Sequence, residues 1–215
     1  MKLIILEGQD GLGKNTLIKG ICEHFHYDNV TIRHFSKPPK ELTTQEAIDF
    51  QFKCFTNEAK LVHEIKEKFS YTRYRYFDNV IIWNRSHLGE FVHGQLFRNE
   101  DPKEIKDKLL FFENLYFSSY EQKMIQICLI TMIAEPEFTL SKEDGQSFSK
   151  NLEEKKKELE LFQEAHEFST IKNKYFLKVD KVSELPTGTE WIMKDVEFRD
   201  KQEILNEVLT IINEK

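Results

Sequence analysis

The sequence predicts an α/β fold in which a mostly parallel sheet is covered by helices on both faces. Five apolar, strand-like runs alternate along the chain with amphipathic segments of helical spacing, a pattern typical of parallel sheets. A length of 215 residues is enough for one sheet-and-helix core, and a composition that is 40% hydrophobic and 13% aromatic favours a globular fold. Because no internal repeat or linker divides the chain, residues 1–215 are expected to form a single domain.

Each predicted strand is a short apolar run bounded by turn residues. Gly8 ends the first run, and a Lys-Pro-Pro segment starting at Lys37 closes the second. Residues 191–193 are a candidate for an extra strand at an edge of the sheet. The five main runs cover residues 3–6, 30–35, 80–83, 125–133 and 175–179.

The predicted helices follow from apolar residues spaced three or four apart. Thr43 and Glu46 form a capping box at the start of the longest one. Residues 141–169 are very highly charged, so we expect a mobile loop that continues into a solvated helix. Besides this solvated helix, the predicted helices cover residues 17–25, 101–116 and 200–213, and the longest one covers residues 43–69.

Charge and cysteine usage exclude several classes of protein. The formal net charge is −6, whereas a general duplex-DNA binder normally has a basic surface. Cys22, Cys54 and Cys128 have neither CxxC nor zinc spacing, and they are expected to be free thiols in a reducing compartment. The segment before Gly8 is too short for a signal peptide, and no run reaches the ~18 apolar residues of a membrane span. We therefore expect a soluble, cytoplasmic protein.

Residues 8–14, called the phosphate loop below, fit the pattern GxxxxGK between a buried strand and a helix. Glycines allow backbone N–H groups to surround phosphate oxygens, and the following helix points its positive dipole end at them. Lys14 is expected to reach the outer phosphates and to act in catalysis. The predicted ATP-binding residues are Gly8, Gln9, Asp10, Gly11, Leu12, Gly13, Lys14, Asn15 and Thr16.

One position of the loop departs from the usual pattern. The residue after the lysine is normally Ser or Thr, whose hydroxyl ligates Mg²⁺, but here it is Asn15. Three arrangements stay open: Asn15 supplies a carbonyl oxygen, Thr16 takes part, or phosphates and water hold the metal.

Three motifs in the same order resemble the thymidylate kinase family. The string LEGQDGLGKNT at residues 6–16 is similar to that family's phosphate loop, EGxDGxGKxT. WNRS at residues 83–86, with the LGE and VHG segments that follow, resembles the strand-end DR motif and its helix. EPE at residues 135–137 resembles the family's DPE turn, and LGEFVHG is also similar to small phage-encoded kinases of this superfamily.

The resemblance implies a P-loop kinase fold, a three-layer sandwich with a five-stranded parallel sheet and a mobile lid. It implies a nucleoside monophosphate kinase that transfers the γ-phosphoryl group of ATP, with Mg²⁺, to dTMP or a related deoxynucleotide. Asp10 would face the acceptor's sugar, although a surface Asp that stabilises a turn is the alternative. Arg85, at the carboxyl edge of the sheet, would hold the acceptor phosphate and act in catalysis. A structural salt bridge is the alternative role for Arg85.

A second departure falls on the metal side of the same site. Asn84 stands where the family has an Asp that organises the Mg²⁺ shell. Asn84 and Asn15 are thus the candidate metal residues, and both have lost the expected ligand type. Together they predict either a weaker or altered Mg²⁺ shell or reduced catalysis.

The predicted acceptor pocket lies between the second strand and the helices after it. The resemblance implies a stacking Phe on the long helix, and Phe52 and Phe55 are the candidates, with core packing expected for at least one. Pro38 would line the pocket, and Lys37 would hold the acceptor phosphate or remain solvated. His93 is a further candidate to face the acceptor.

The expected lid, residues 138–152, lacks the arginine that the family often places there. The phosphate loop also lacks the arginine that some members carry. Four cations could substitute for it: Lys142, Lys150, Arg73 and Arg98.

Two other functions stay open from the sequence. One is a P-loop kinase that acts on a deoxynucleoside or on a modified base in DNA. The other is a nucleotide-binding module that has lost catalysis. Residues 71–76 interleave aromatics with cations, but a six-residue segment in an acidic chain is a weak signal for nucleic acid. A small-molecule nucleotide is the expected partner, and a homodimer is left open.

Overall fold

A computed structural model of the chain describes residues 1–35, 38–39, 41–70, 79–118, 125–143, 145, 147, 149–184 and 194–213. The strands are β1 (Lys2–Gly8), β2 (Val30–His34), β3 (Val80–Asn84), β4 (Gln126–Ile133), β5 (Asn173–Lys178), β6 (Asp180–Glu184) and β7 (Lys194–Phe198). The helices are α1 (Lys14–Phe25), α2 (Thr44–Ser70), α3 (Leu88–Arg98), α4 (Pro102–Tyr116), α5 (Pro136–Ser141), α6 (Leu152–Phe168) and α7 (Lys201–Asn213), with a 3-10 turn at Tyr27–Asn29.

The main sheet has five parallel strands in the order β2-β3-β1-β4-β5. This confirms the predicted parallel α/β fold. β1 is central, with Ile5 opposite Trp83 of β3 and Leu129 of β4. The strand order reverses beside β1, so the carboxyl end of β1 lies where open sheets of this type bind ligands.

Alternate residues of β1 face two separate cores. Leu3 and Ile5 belong to one core, which is completed by residues from α2, α3, α4 and α6. Ile4 and Leu6 belong to the other, which is completed by residues from α1 and α7. Because successive side chains of a strand point to opposite faces, a fully apolar strand buries both faces and gives three layers.

The helix starts agree with the capping residues in the sequence. Thr43 N donates to Glu46 Oε2 at 2.9 Å, which is one half of the predicted capping box. Asp101 Oδ1 accepts from Glu104 N at 2.9 Å at the start of α4. These local hydrogen bonds fix where the helices begin and therefore where the strand-to-helix loops end.

The structure differs from the sequence prediction in two regions. β6 and β7 pair antiparallel in a separate two-stranded sheet, which was not predicted, and residues 191–193 lie outside the described residues. The prediction of a solvated helix after residue 150 was wrong for one face of α6, which buries Lys155, Glu158, Leu161, Phe162, Ala165 and His166. Four of these side chains are polar or small, so their burial leaves little apolar signal in the sequence.

The three cysteines differ in how deeply they are buried. Cys22 and Cys128 are buried free thiols, and Cys54 is half-buried. Burial raises the pKa of the Cys128 thiol to about 12, so this cysteine stays protonated and unreactive. In the part of the chain that the structure describes, no helix is long and apolar enough to cross a membrane.

Candidate active site

The phosphate loop connects β1 to α1 and depends on glycine at two points. Gly8 has a φ of 122°, and a Cβ at this residue would lie 2.1 Å from the carbonyl oxygen of Met132. Gly13 precedes α1 with a φ of 80°, in the left-handed region that favours glycine. The loop can therefore turn tightly against β4 and present the start of α1 to a ligand.

Lys14 is buried and folded back onto the loop. Its Nζ donates to the carbonyl oxygens of Gly8 and Gln9 at 2.7 and 2.6 Å. Burial lowers the pKa of Lys14 to about 8, although the carboxylate of Asp10 opposes the shift. An anion bound on the loop would stabilise the charged form and draw the ammonium group towards itself.

Asp10 and Arg85 form an ion pair across the site. Arg85 follows β3 directly, and its Nη2 lies 2.5 Å from Asp10 Oδ1. Burial would raise the pKa of Asp10, but the charges of Arg85 and Lys14 outweigh it and hold that pKa below its usual value. Arg85 has a φ of 67°, which is uncommon for a residue with a side chain. Its backbone N donates to Leu6 O at 2.9 Å and holds this turn against β1.

The buried carboxylate of Glu7 stabilises the same turn. Glu7 Oε1 accepts from Ser86 Oγ at 2.5 Å and from the backbone N of Gly89 at 3.2 Å. All three residues lie in the quoted motifs, but the sequence assigned them no role. Glu7 thus ties the end of β1 to the start of α3 and fixes the position of Arg85 between them.

Three cavities meet around the phosphate loop. The central cavity, of about 520 Å³, is lined by the loop together with Asn15, His34, Phe35, Asn84, Arg85 and Lys142. A donor-side cavity of about 560 Å³ lies beyond the loop and is lined by Thr16, Leu17, Met132, Arg199 and residues of α7. A pocket of about 40 Å³ shares Phe35 and Arg85 with the central cavity, and we call it the acceptor-side pocket after the role that the sequence predicts for residues in its walls.

Most of the predicted acceptor residues line the acceptor-side pocket. Pro38, Phe55, Arg85 and His93 are among its walls. Phe55 is also core, with its ring centroid 5.1 Å from that of Phe35. Lys37 lies outside the described residues.

Phe52 departs from the expectation that it faces the acceptor. It lines a separate groove of about 220 Å³ between α2 and α4, together with Phe111 and Tyr116. The physical reason is helical geometry: Phe52 and Phe55 are three residues apart, so one apolar stripe can serve two neighbouring surfaces. His87, at the start of α3, is fully buried, and its Nε2 lies 2.8 Å from Glu113 Oε1.

Glu90 and Gln51, two polar residues of the acceptor-side pocket, were missed by sequence reasoning, and Arg98 was considered only as a substitute for the lid arginine. Arg98 of α3 donates to Glu90 Oε1 through Nη2 and to Glu100 Oε1 through Nε. Burial raises the pKa of Glu90 to about 7, even though the charge of Arg98 opposes this shift. Gln51 of α2 is buried and lines the same pocket. An acceptor would therefore meet both hydrogen-bond donors and acceptors here.

The two predicted metal residues contact each other. Asn84 Nδ2 donates to Asn15 Oδ1 at 2.8 Å and lies 2.9 Å from His34 Nδ1. We call these three residues the amide–imidazole cluster. Mg²⁺ prefers carboxylate and other oxygen ligands, whereas the Asn15 oxygen is already used by Asn84. Among the described residues, no group of three or more His, Cys, Asp or Glu side chains is placed to hold a metal ion. The cluster does not fit a protein-built Mg²⁺ shell.

Lys155 is a second residue that the sequence did not single out. It is fully buried in the first turns of α6, and its Nζ lies 3.2 Å from Glu143 Oε2. Its backbone carbonyl accepts from Gln9 Nε2 at 3.2 Å, so the Gln9 side chain is directed to α6. The charge of Lys155 also helps to lower the pKa of Asp10. The buried Lys155 thus contacts the phosphate loop on the side that faces α6.

The four cations proposed for the lid have different surroundings. Lys142 lines the central cavity, whereas Lys150 is exposed and its Nζ donates to Gly145 O at 2.6 Å. Arg98 is paired in the acceptor-side pocket, and Arg73 lies outside the described residues. Lys142 is therefore the best placed of the three that are described.

No protein-family model and no curated protein matches the chain. Solved structures do match it in fold. Thymidylate kinase from Ehrlichia chaffeensis superposes with a TM-score of 0.54 at 11% identity, over 99% of this chain and 98% of that one. Deoxyadenosine kinase from M. mycoides with bound dATP gives 0.53 at 13% identity, over 100% of both chains. Polyphosphate Kinase 2 from Arthrobacter aurescens TC1 gives 0.53 at 14% identity, over 82% of this chain and 59% of that one.

At these identities the likeness concerns the fold. The sheet order, the flanking helices and the loop after β1 define an α/β P-loop protein. Its fold is that of the P-loop kinases, which confirms the five-stranded parallel sheet with flanking helices implied by the resemblance to thymidylate kinase. The mobile lid stays a prediction.

Proposed function

We propose that the protein is an ATP-dependent kinase that phosphorylates a nucleoside monophosphate, with dTMP or a related deoxynucleotide as acceptor. One observation carries the proposal: the phosphate loop and Arg85 line one central cavity, and Arg85 also lines the acceptor-side pocket. A donor and an acceptor bound on the two sides of Arg85 would be held close and in line. Phosphoryl transfer depends mainly on such positioning and on charge stabilisation.

The donor nucleotide is expected to lie across the phosphate loop. Gly11, Leu12 and Gly13 line both the donor-side and the central cavity. ATP could therefore place its nucleoside in the donor-side cavity and its phosphates in the central one. The amides at the start of α1 and the charge of Lys14 would bind the phosphates.

The proposed reaction is an in-line attack of an acceptor phosphate oxygen on the γ-phosphorus of ATP. The new P–O bond forms as the bond to the β-phosphate oxygen breaks, and ADP leaves with that electron pair. Lys14 and Arg85 would stabilise the charge on the transferred group. Asp10 would hold Arg85 and contact the acceptor's sugar. Because the amide–imidazole cluster does not fit Mg²⁺, no step is assigned to a protein-held cation.

An uncharged acceptor, such as a deoxynucleoside, is the second candidate. It is favoured by the charge balance of the acceptor-side pocket, where each arginine already faces a carboxylate. Arg85 pairs with Asp10, and Arg98 pairs with Glu90 and Glu100. A phosphate acceptor must displace part of one such pair, whereas a hydroxyl acceptor need not.

The direct test is a screen of ADP release with ATP, Mg²⁺ and each nucleoside monophosphate in turn. Free deoxynucleosides and DNA with modified bases are tested in parallel, and the Lys14→Ala variant controls for contaminating kinases. We expect turnover with dTMP or a close relative and none in the variant. Turnover with free nucleosides alone would replace the first candidate by the second. Tight ATP binding without turnover on any acceptor would sink the enzyme proposal.

A further inference from the structure

The central cavity carries a consequence for cation binding, and it rests on the proposed function because it concerns the bound nucleotide. We infer that none of the described residues that line the central cavity is a ligand of the nucleotide's divalent cation. The amide–imidazole cluster instead forms an internally hydrogen-bonded wall without a carboxylate, and fixed cations balance the phosphate charge. Replacing Asn84 by Asp should create the missing cation site.

The first argument is the hydrogen bonding of the cluster. Both N–H groups of the Asn84 amide have partners, namely Asn15 Oδ1 at 2.8 Å and His34 Nδ1 at 2.9 Å. Asn15 Oδ1 thereby has one of its two lone pairs occupied, and the single lone pair of His34 Nδ1 accepts from the amide. A cation could take the His34 nitrogen only by breaking its hydrogen bond, and could reach the second lone pair of Asn15 Oδ1 only beside the positive N–H edge of Asn84.

The second argument concerns the remaining oxygen of Asn84. Asn84 is only 8% exposed, and its Oδ1 is buried without a hydrogen-bond partner in the described part of the chain. Asn84 lines the cavity, but this oxygen has almost no accessible surface, so a hydrated cation beside the phosphates could not contact it without a rotation of the side chain. That rotation would break the contacts to Asn15 and His34.

The third argument is charge. Asp10 is the one carboxylate among the described residues lining the central cavity, and it is paired with Arg85 at 2.5 Å. Lys14 and Lys142 line the same cavity. The lining therefore carries more positive than negative charge before any cation binds, which suits free nucleotide phosphates and disfavours a further divalent cation.

Asn84→Asp is the sharpest perturbation of this arrangement. Asp and Asn have nearly the same shape, and an Asp at residue 84 would add a carboxylate at the cavity. It would lose the donor to Asn15 and His34, so a carboxylate oxygen, the Asn15 oxygen and the His34 nitrogen would face one another as three acceptors and favour a cation between them. Asn206→Asp is a matched control, since Asn206 is exposed on α7 and its side-chain oxygen accepts from Gln202, as a carboxylate also can.

The experiment measures Mn²⁺ binding by electron paramagnetic resonance, with the non-hydrolysable analogue AMP-PNP bound to the protein. For the wild type and Asn206→Asp, we expect the Mn²⁺ dissociation constant to stay within about twofold of that for AMP-PNP alone. For Asn84→Asp, we expect Mn²⁺ to bind about tenfold more tightly, because a charge pair near the protein surface is worth at least that much.

Tightening of Mn²⁺ binding by tenfold or more in the wild-type complex would overturn the inference, whether or not Asn84→Asp folds. AMP-PNP affinity is measured separately with the chelator EDTA present. Retained affinity under chelation supports the inference. Failure of AMP-PNP to bind in any condition would contradict the proposed function, and so the two failures are distinguishable.

Discussion

The two walls of the central cavity differ in how much of a phosphoryl-transfer site they retain. On one wall, the phosphate loop has its glycines, its lysine and the start of α1 in place. On the other, the amide–imidazole cluster replaces the oxygen ligands that a Mg²⁺ shell requires with two amides and a histidine. The phosphate binding proposed for the first wall needs only contiguous residues and backbone geometry. Cation binding depends on side chains brought from separate elements, so single substitutions can remove it.

The comparison is tested most strongly by removing the lysine of the intact wall. Lys14→Ala should lower the turnover number by about a thousandfold or more, because a charge that stabilises the transferred group is lost. Turnover is measured by ADP release with the best acceptor from the screen. Lys156→Ala is the control, since Lys156 is exposed on α6 and should keep wild-type activity. Near-normal activity in Lys14→Ala would mean that the loop does not hold the phosphates.

The role of the buried Lys155 beside that wall is tested by the free energy of unfolding. Lys155→Met should lower the free energy of unfolding by about 1 kcal/mol, since it removes the buried cation that faces the half-buried Glu143 carboxylate. The double variant Lys155→Met with Glu143→Gln should recover part of the loss. Urea unfolding measures both, and Lys156→Met serves as the exposed control, expected within about 0.5 kcal/mol of the wild type. Equal effects of the Lys155 and Lys156 variants would rule out a supporting role for this pair.

The residue shared by the central cavity and the acceptor-side pocket gives the next largest effect on activity. Arg85→Lys should lower activity by about a hundredfold, because a lysine cannot hold Asp10 and a phosphate with one planar fork. Steady-state kinetics with varied acceptor should show a rise in the acceptor's KM, while the KM for ATP stays nearly constant. An equal rise in both KM values would place Arg85 on the donor instead.

The smallest effect is a pH dependence of nucleotide binding. The pKa of Lys14 is about 8 in the nucleotide-free protein, so above pH 8 a phosphate must bind a lysine that has first to take up a proton. Affinity for AMP-PNP should therefore fall as pH rises from 7 to 9, by up to about tenfold per pH unit above 8. Calorimetric titration measures this, and Lys14→Arg is the control because an arginine stays charged. A flat profile in the wild type would contradict a lowered pKa.

The sheet and the phosphate loop were predictable because their signals are local. β1 and β4 are buried on both faces, so each is a continuous apolar run. β6, with the sequence DKVSE, has one apolar residue and offered no such run. Lys155 was missed for a related reason: it lies within a run of charges, and only the packing of α6 decides which of them is buried.

Among the site residues, too, those with local sequence signals could be predicted and the others could not. Gly8, Lys14 and Arg85 could be identified because each lies at the end of a predicted strand or in the loop that follows it, where open sheets of this type bind ligands. The contact between Asn84 and His34 joins the ends of β2 and β3, and nothing in either segment alone specifies that these strands are neighbours. The sequence could not decide between Phe52 and Phe55 as the pocket residue, because an apolar stripe on a long helix does not reveal which neighbour covers each part of it.

The central claim is that the cavity between the phosphate loop and Arg85 transfers the γ-phosphoryl group of ATP to a nucleoside monophosphate. The most direct measurement follows the label from γ-³²P-ATP in a single turnover with dTMP and its close relatives, separated by chromatography. The account predicts label in a nucleoside diphosphate with the acceptor's base. Label found only in inorganic phosphate, or only in a monophosphate made from a free nucleoside, would contradict it.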